Sequence, residues 1–476
     1  MGKDYLDLFG RLASGAEVKN LWLVDVNITG SGSYVGGLVG ENSYSGTVTT
    51  SFWDIETSGQ TTSAGGTGKT TAEMQDIRTY QDAGWDFVGE IVNGTHDFWL
   101  MPEAGGYPVL SIFHGYTPPQ LEGLGTRDEP YLISDAMELG AMIHYSHSAH
   151  YRLASSIDLS GIHWGMAVIP SFSGTFDGNN LTISHLTLTG ASYVGLFGQL
   201  GSGAEVKDLG LVDVNISGSG NYVGGLVRKN YGAVTECYST GAVSGTGWSV
   251  GGLVGANQGN VTQCYSTGTV SDNGTAWWSY VGGLVGENTE RGFISDCYST
   301  GAVSGGSSVG GLVGNNWGTV TQCYSTGMVS GSDWVGGLVG MNGDAAYDLS
   351  GVITQCYSTA TVAGVISIGG LVGCNSGTVT QCYSAGRLSG NEGYVGGLVG
   401  GSDWGATVSR CFWDTQTSGQ ATSAGGEGRT TAQMQMAKTF LDAGWDFVDE
   451  TSNSSEDIWW IDEGKDYPHL WWEARN

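Results

Sequence analysis

The sequence predicts an all-β fold: a parallel β-helix with one three-strand coil per repeat of 26–33 residues, closed by small capping segments that contain short helices and tryptophans. Three observations predict it. The word Cys-Tyr-Ser-Thr begins at Cys237, Cys264, Cys297, Cys323 and Cys356, and Cys382 and Cys411 extend the row, at gaps of 27, 33, 26, 33, 26 and 29 residues. A second word, Val-Gly-Gly-Leu-Val, alternates with it from Val223, Val250, Val281, Val309, Val335 and Val395, with Ile368 heading a variant. The segments between corners are four to seven β-prone residues bounded by Gly and Asn, and the array has no helical period. Self-similarity at such a spacing is the signature of stacked solenoid units.

In chain order, residues 1–51 read as the end of a first β-solenoid. Leu8–Asn42 returns at Leu196–Asn230 with a constant offset of 188, so the chain opens inside a repeat and reads as part of a longer exported protein, or as such a part with an added Met1. Residues 52–116 read as a C-terminal-type cap of that unit, because Phe52–Leu110 recurs ungapped at Phe412–Leu470, offset by 360. Thr70–Tyr80 and Thr430–Phe440 each suggest a short helix opened by a threonine cap. Trp85, Trp99, Trp445 and Trp459 are expected over the open end of the stack, which a solenoid must cover. Residues 117–190 read as the N-terminal cap and first coils of a second unit, running from the turn-rich Thr117-Pro-Pro-Gln through a helix at Asp135–Ile143 to a turn at Asp177-Gly178-Asn179. Residues 191–411 are the repeat β-helix, and 412–476 its C-terminal cap.

Two ladders follow from stacking. The corner after Val-Gly-Gly-Leu-Val-Gly carries Asn230, Asn257, Asn288, Asn316, Asn342 and Asn375. Asparagine tolerates the left-handed conformation of a sharp corner, and stacked amides can bond from rung to rung. In the cysteine strand, alternation puts Thr262, Cys264 and Ser266 on one side and Gln263 and Tyr265 on the other. Cysteine is the more buried residue type, so Cys237, Cys264, Cys297, Cys323, Cys356, Cys382 and Cys411 form an inward ladder. The row Tyr238, Tyr265, Tyr298, Tyr324, Tyr357, Tyr383 and Phe412 then faces outward. Side chains in such a ladder point in parallel and hold their Cβ atoms farther apart than a disulfide prefers, so the eight cysteines are expected to be mostly free, buried thiols.

Net charge is −29 with 17 Lys plus Arg, a balance that repels nucleic acid and anionic membranes. It suits an extracellular protein in salty or calcium-containing surroundings; no cofactor is expected, with calcium the one ion to consider. No apolar run reaches the ~18 residues of a membrane span, and the first residues lack a signal peptide's basic start and apolar core. Neither a nucleic-acid partner nor direct membrane insertion is expected.

The words Val-Gly-Gly-Leu-Val-Gly-x-Asn and Gly-Thr-Val-x-x-Cys-Tyr-Ser-Thr-Gly resemble the GLUG repeat of bacterial and archaeal surface proteins, over Val35–Gly46 and most of Val194–Trp413. The resemblance implies a large exported chain, similar to filamentous haemagglutinin-type adhesins, at the cell surface or outside it. The same repeat accompanies an immunoglobulin-cleaving metallopeptidase, whose chemistry does not carry over because the chain has no His-Glu-x-x-His.

Chemistry in a regular array is sought where the pattern breaks. Arg228-Lys229 introduces two bases, and the insert Ser271–Tyr280 carries Trp277-Trp278. The position before the ladder cysteine, usually glutamine, is Glu236 and, two rungs on, Asp296. Two rungs of ~4.8 Å make ~9.6 Å, against ~6.5–9.5 Å between the carboxyls of an inverting glycosidase. Glu236 and Asp296 are thus the candidate catalytic pair. Tyr238, Tyr265, Tyr298, Trp277, Trp278, Arg228 and Lys229 are the candidate ligand-binding residues, and a polysaccharide or cell-surface glycan is the candidate partner. His144, His147 and His150 lack convergent spacing and read as a solvated loop, so no metal site is expected. Gly65–Thr70 lacks the four-residue spacer of a phosphate loop. A non-catalytic adhesin or scaffold segment is the leading expectation. The alternative is a β-helical polysaccharide hydrolase or lyase, and a third idea is ice or mineral contact through Thr and Ser rows.

Overall fold

The computed structural model describes residues 5–24, 26–28, 34–43, 45–90, 92–94, 98–102, 106–111, 119–191, 194–274, 278–390, 393–450, 453 and 456–475. Two compact units, Met1–Pro118 and Pro119–Asn476, divide between two prolines.

The second unit is a parallel β-solenoid. The coil that starts at Ser308 runs through Ser308–Gly310, Val313–Asn316, Thr319–Thr321, Tyr324–Ser325 and Met328–Ser330. Each segment pairs in parallel with its counterpart on the next coil, as in Val309↔Val335, Val313↔Val339, Val320↔Ile353, Tyr324↔Tyr357 and Val329↔Val362. Stacking yields three sheets, of 7, 8 and 27 strands.

The boundaries of those sheets differ from the expected ones. Val-Gly-Gly-Leu-Val is bent rather than continuous, its first half in the seven-stranded sheet and its second in the eight-stranded one. Glycine permits this: a Cβ on Gly310 would lie 1.9 Å from the Val313 carbonyl oxygen, and one on Gly311 2.1 Å from that of Gly337. The cysteine strand also breaks, at the residue before the cysteine. Glu236, Gln263, Asp296, Gln322, Gln355, Gln381 and Arg410 all have φ between 49° and 54°. This left-handed residue resets the alternation, so Val261 and Cys264 both point inward while Thr262, expected beside Cys264, turns outward and faces Thr235 at 3.2 Å. Cysteine inside and tyrosine outside both hold.

The interior is a stack of identical layers. Val309, Leu312, Val313, Val320, Cys323 and Val329 are at most 1% exposed, and equivalent residues fill the neighbouring coils. Burying each such side chain contributes roughly 1.5–3 kcal/mol. All eight cysteines are free, seven of them buried, and along the ladder the Cys237 and Cys264 amides meet the next rung's sulfur at 3.4 and 3.3 Å. Burial pushes the Cys237 and Cys411 thiols up.

Asn230, Asn257, Asn288, Asn316, Asn342 and Asn375 are fully buried, and the Nδ2 of each of the first five donates to the next Oδ1 at 2.8–2.9 Å. None of the six has positive φ. They close strand ends by hydrogen bonding, and the left-handed work expected of them falls to the residue before the cysteine.

At the start of this unit Asp135 caps the helix Ala136–Ala141, which continues as the 3₁₀ turn Met142–His144 and places Leu139 and Met142 in the core. The expected turn at Asp177-Gly178-Asn179 is instead part of the strand Thr175–Ser184, kinked where Asn179 and Asn180 adopt φ of 54° and 57°. At the other end Trp413 enters the solenoid interior, 6% exposed, its indole N–H donating to the Gln420 carbonyl at 3.0 Å. The expected single helix is two, Thr431–Met434 and Ala437–Leu441, the first opened by a reciprocal Thr430–Gln433 capping box. Trp445 and Trp459 do not lie over the open end. They join Phe412, Phe440 and Leu470 in a second core against the outward face of the aromatic row.

The first unit repeats this plan with fewer coils. Its parallel pairs are Tyr5–Leu6 with Tyr34–Val35, Phe9–Arg11 with Val39–Glu41, Glu17–Lys19 with Thr47–Thr49, Trp22–Leu23 with Phe52–Asp54, and Phe52–Asp54 with Thr67–Lys69. Leu12, Val18, Leu38, Val39 and Trp53 form the interior, while Trp85 packs with Phe52, Met74 and Tyr80 outside it. Trp85 donates to the Thr50 carbonyl at 2.9 Å, as Trp445 does to that of Arg410.

Candidate functional site

The left-handed corner before each cysteine turns the cysteine into the coil and the tyrosine after it outward, and parallel stacking sets those tyrosines in line. Tyr238, Tyr265, Tyr298, Tyr324, Tyr357 and Tyr383 form a column with ring centres 4.8, 4.7, 5.0, 5.0 and 5.0 Å apart and planes within 8° of parallel. The column begins on a glycine: a Cβ on Gly210 would meet the Tyr238 ring at 2.4 Å. Tyr238, Tyr265, Tyr298 and Tyr324 are half-buried, whereas Tyr357 and Tyr383 are 3% and 0% exposed. Burial, reinforced by the flanking phenols, pushes Tyr265 up to about 12.

The C-terminal segment covers the far half of the column. Tyr383 donates to the Pro468 carbonyl at 2.5 Å and Tyr357 to the Glu473 carboxylate at 3.0 and 3.1 Å. Trp472 stacks on Tyr324 and reaches the edge of Tyr298, with ring centres 5.7 and 6.2 Å away. The open stretch is therefore Tyr238, Tyr265 and the near part of Tyr298.

Glu236 and Asp296 lie beside this open stretch, on the left-handed corner, with Gln263 on the rung between them. The acidic neighbour of Glu236 is Asp208, which holds the same corner one rung earlier at φ 52°. A hydrogen bond shared with Asp208, together with burial, holds the Glu236 carboxyl above its ordinary range. Lys207 pairs with Asp208 at 3.4 Å. Burial raises the Asp296 carboxyl, offset in part by a hydrogen bond from Ser295.

The other candidates are elsewhere on the coil. Trp278 is 56% exposed and stacks on Trp334 of the seven-stranded sheet at 5.4 Å, separated along the coil from the tyrosines by the strand Thr269–Asp272. Trp277 lies outside the described residues. Arg228 and Lys229 belong to the eight-stranded sheet, where they sit over the Tyr222 ring at 5.4 and 4.3 Å. Among the described residues no three His, Cys, Asp or Glu side chains converge as a metal site would need.

Sequence reading missed Asp208 and Trp472. Asp208 was legible in principle: Val206-Lys-Asp stands 28 residues before Val234-Thr-Glu. Trp472 was not, since its partners Tyr324 and Gln322 are about 150 residues away in sequence.

The family model described as the GLUG motif matches residues 246–271 and 305–330. Over 108 residues the chain is 38% identical to halomucin of Haloquadratum walsbyi, covering 20% of this chain and 1% of that protein. Over 98 residues it is 40% identical to a protein of Evansella cellulosilytica described as a candidate Gly-rich membrane protein, covering 20% of this chain and 10% of the other. The chain thus spans a small part of both relatives. Among solved structures, a Bacteroides ovatus chain described as a candidate immunoglobulin A1 protease aligns at 21% identity and TM-score 0.45, covering 74% of this chain and 94% of that one. A second, described as an IgA1 protease, aligns at 15% and 0.38, covering 73% and 26%. Each matched stretch, 246–271 and 305–330, is one coil of the solenoid from its valine-glycine strand to its last short strand, so the chain carries GLUG-motif coils within a parallel β-helix.

Proposed function

We propose that this chain is an extracellular, non-catalytic repeat solenoid, an adhesin or scaffold segment that contacts a polysaccharide or cell-surface glycan through its tyrosine column. The observation that carries this reading is the open run of Tyr238, Tyr265 and Tyr298, parallel rings about 4.8 Å apart with half-buried phenols. Stacked at this spacing the rings cover much of one another's faces, and together they form a continuous, rigid apolar strip against which the C–H side of a sugar can lie. An acidic surface keeps such a strip soluble and away from nucleic acid. No helix among the described residues is long and apolar enough to cross a membrane. The names of the two relatives, halomucin and a candidate Gly-rich membrane protein, support a surface setting.

The test is retention of the purified chain on a panel of immobilised polysaccharides. Replacing Tyr238, Tyr265 and Tyr298 with Ala should abolish retention while circular dichroism stays that of the parent; retention unchanged in a folded triple variant refutes the reading.

A second reading, a polysaccharide hydrolase or lyase, draws on Glu236, whose carboxyl is raised by Asp208 beside the same strip. Release of reducing ends or of unsaturated ends from a retained polysaccharide, lost in Glu236→Gln, would favour it.

A further inference from the structure

The bend at each Gly-Gly presses the outer faces of the seven- and eight-stranded sheets against one another in a crease. A Cβ on Gly286 would meet Ser249 Oγ at 2.3 Å, and Ser249 Oγ donates to the Gly255 carbonyl at 2.7 Å. The floor of the crease reads Gln199, Lys229, Ala256, Glu287 and Asn315 on successive coils.

Ala256 is too short to fill its place between the base and the acid. A cavity of about 150 Å³ opens there, lined by Tyr222, Lys229, Ala256 and Glu287, with Tyr231 and Gln258 at its exposed mouth. At ~30 Å³ per water that space holds a small polar guest, not a length of chain. Glu287 is only 8% exposed, yet no hydrogen bond or ion pair among the described residues reaches its carboxylate. On the next coil Asn315 is fully buried with both amide atoms unpartnered. Lys229 Nζ is held at the opposite side of the cavity, 4.3 Å from the Tyr222 ring centre. A buried carboxylate without partners is costly, and two such polar groups in succession mark a place built for something polar.

We propose that this crease cavity is a subsite for one sugar residue, whose neighbouring hydroxyls donate to the Glu287 carboxylate and accept from the Lys229 ammonium. A hydroxyl can do both, and a neutral guest loses less hydration on entry than a charged one. Burial pushes Glu287 up to about 7 and pulls Lys229 down, so neither group demands a full counter-charge from the guest. The proposal shares its ligand class with the function proposed above but none of its residues, so each can fail alone.

Saturation-transfer NMR on the whole chain, with the methyl glycosides of glucose, galactose, mannose and N-acetylglucosamine, tests it, with glycine as a zwitterionic control. At least one glycoside should give a signal. Affinity should fall by about tenfold or more in Ala256→Leu, which fills the cavity, and in Glu287→Leu, which removes the acceptor without overcrowding. The Tyr238→Ala/Tyr265→Ala variant should keep the signal. Silence from all four glycosides, binding of glycine alone, or a signal undiminished in folded Glu287→Leu overturns the proposal. Should Ala256→Leu fail to fold, Glu287→Leu decides. A signal lost only in the tyrosine variant overturns this subsite and leaves the tyrosine reading standing.

Discussion

The indole of Trp472 lies 5.7 Å from the ring of Tyr324 and 25° from parallel, its N–H donating to the Gln322 carbonyl at 3.1 Å. The chain thus supplies from its own C-terminal segment a flat ring that rests on the tyrosine column from outside. The same segment anchors its neighbour Glu473 on the Tyr357 hydroxyl. Half of the column is a packing surface, and the other half has the same chemistry with nothing from this segment on it.

Removing that ring should extend the open strip. In Trp472→Ala the solenoid core is untouched, so circular dichroism should stay unchanged and Tm should fall by only a few degrees. Tyr324 and the edge of Tyr298 become exposed, and retention on any polysaccharide that holds the parent chain should strengthen. Weaker retention would mean that Trp472 itself belongs to the contact surface.

Asn316 accepts from Asn288 and donates to Asn342, both at 2.8 Å and wholly out of water. Asn316→Ala leaves the Asn342 Oδ1 without its donor and costs Asn288 Nδ2 its shortest bond, leaving it the Gly292 carbonyl at 3.2 Å. At ~1–3 kcal/mol per orphaned buried group, urea unfolding should show a loss of about 2–4 kcal/mol. Thr235→Ala, whose hydroxyl pairs with Thr262 on the half-exposed outer side, should change stability by less than ~0.5 kcal/mol.

Much of this architecture was legible because the same residue types recur in the same column on every coil. Val, Leu and Cys columns declare an interior, Asn columns a polar ladder, Tyr columns an outer row, and stacking then fixes the register. The bends were not legible. Glutamine carries no bias toward positive φ comparable with that of asparagine, so Gln263 and Gln322 gave no sign that they, and not Asn257 and Asn316, turn the chain left-handed. Contacts made by irregular segments were equally hidden, since no periodicity links Trp472 to Tyr324. Glu236 was found because it breaks a column, but its partner Asp208 stands in a coil that lacks the cysteine word altogether.

The thiols give a redox prediction. All eight are free, seven are buried, and Cys374 is partly accessible. Iodoacetamide should label Cys374 well before any other cysteine in the native chain, and all eight after denaturation. Melts with and without reductant should coincide, because no cross-link is present to be reduced. Three or more disulfides by mass spectrometry would contradict the inward ladder.

Glu287 predicts how stability depends on pH. Its carboxyl is raised from 4.5 to about 7 by burial, with Lys229 the charge that opposes the rise and the Tyr222 and Tyr280 phenols facing it. A folded-state value above the unfolded one means that the native chain holds this proton more tightly than the unfolded chain does. Its contribution is therefore most favourable below about pH 4.5 and falls as pH rises toward 7, where the buried group must ionise. At ~1.4 kcal/mol per pH unit the loss approaches about 3 kcal/mol. Glu287→Gln removes this proton, so variant and parent should have similar stability near pH 4 and diverge progressively to pH 7, with the variant the more stable. Subtracting the two urea-unfolding curves cancels the other groups that titrate in the window, Glu236 and Asp296 included. A difference that is flat with pH, or that favours the parent at pH 7, would show that the carboxylate is satisfied in solution by a partner or a bound guest.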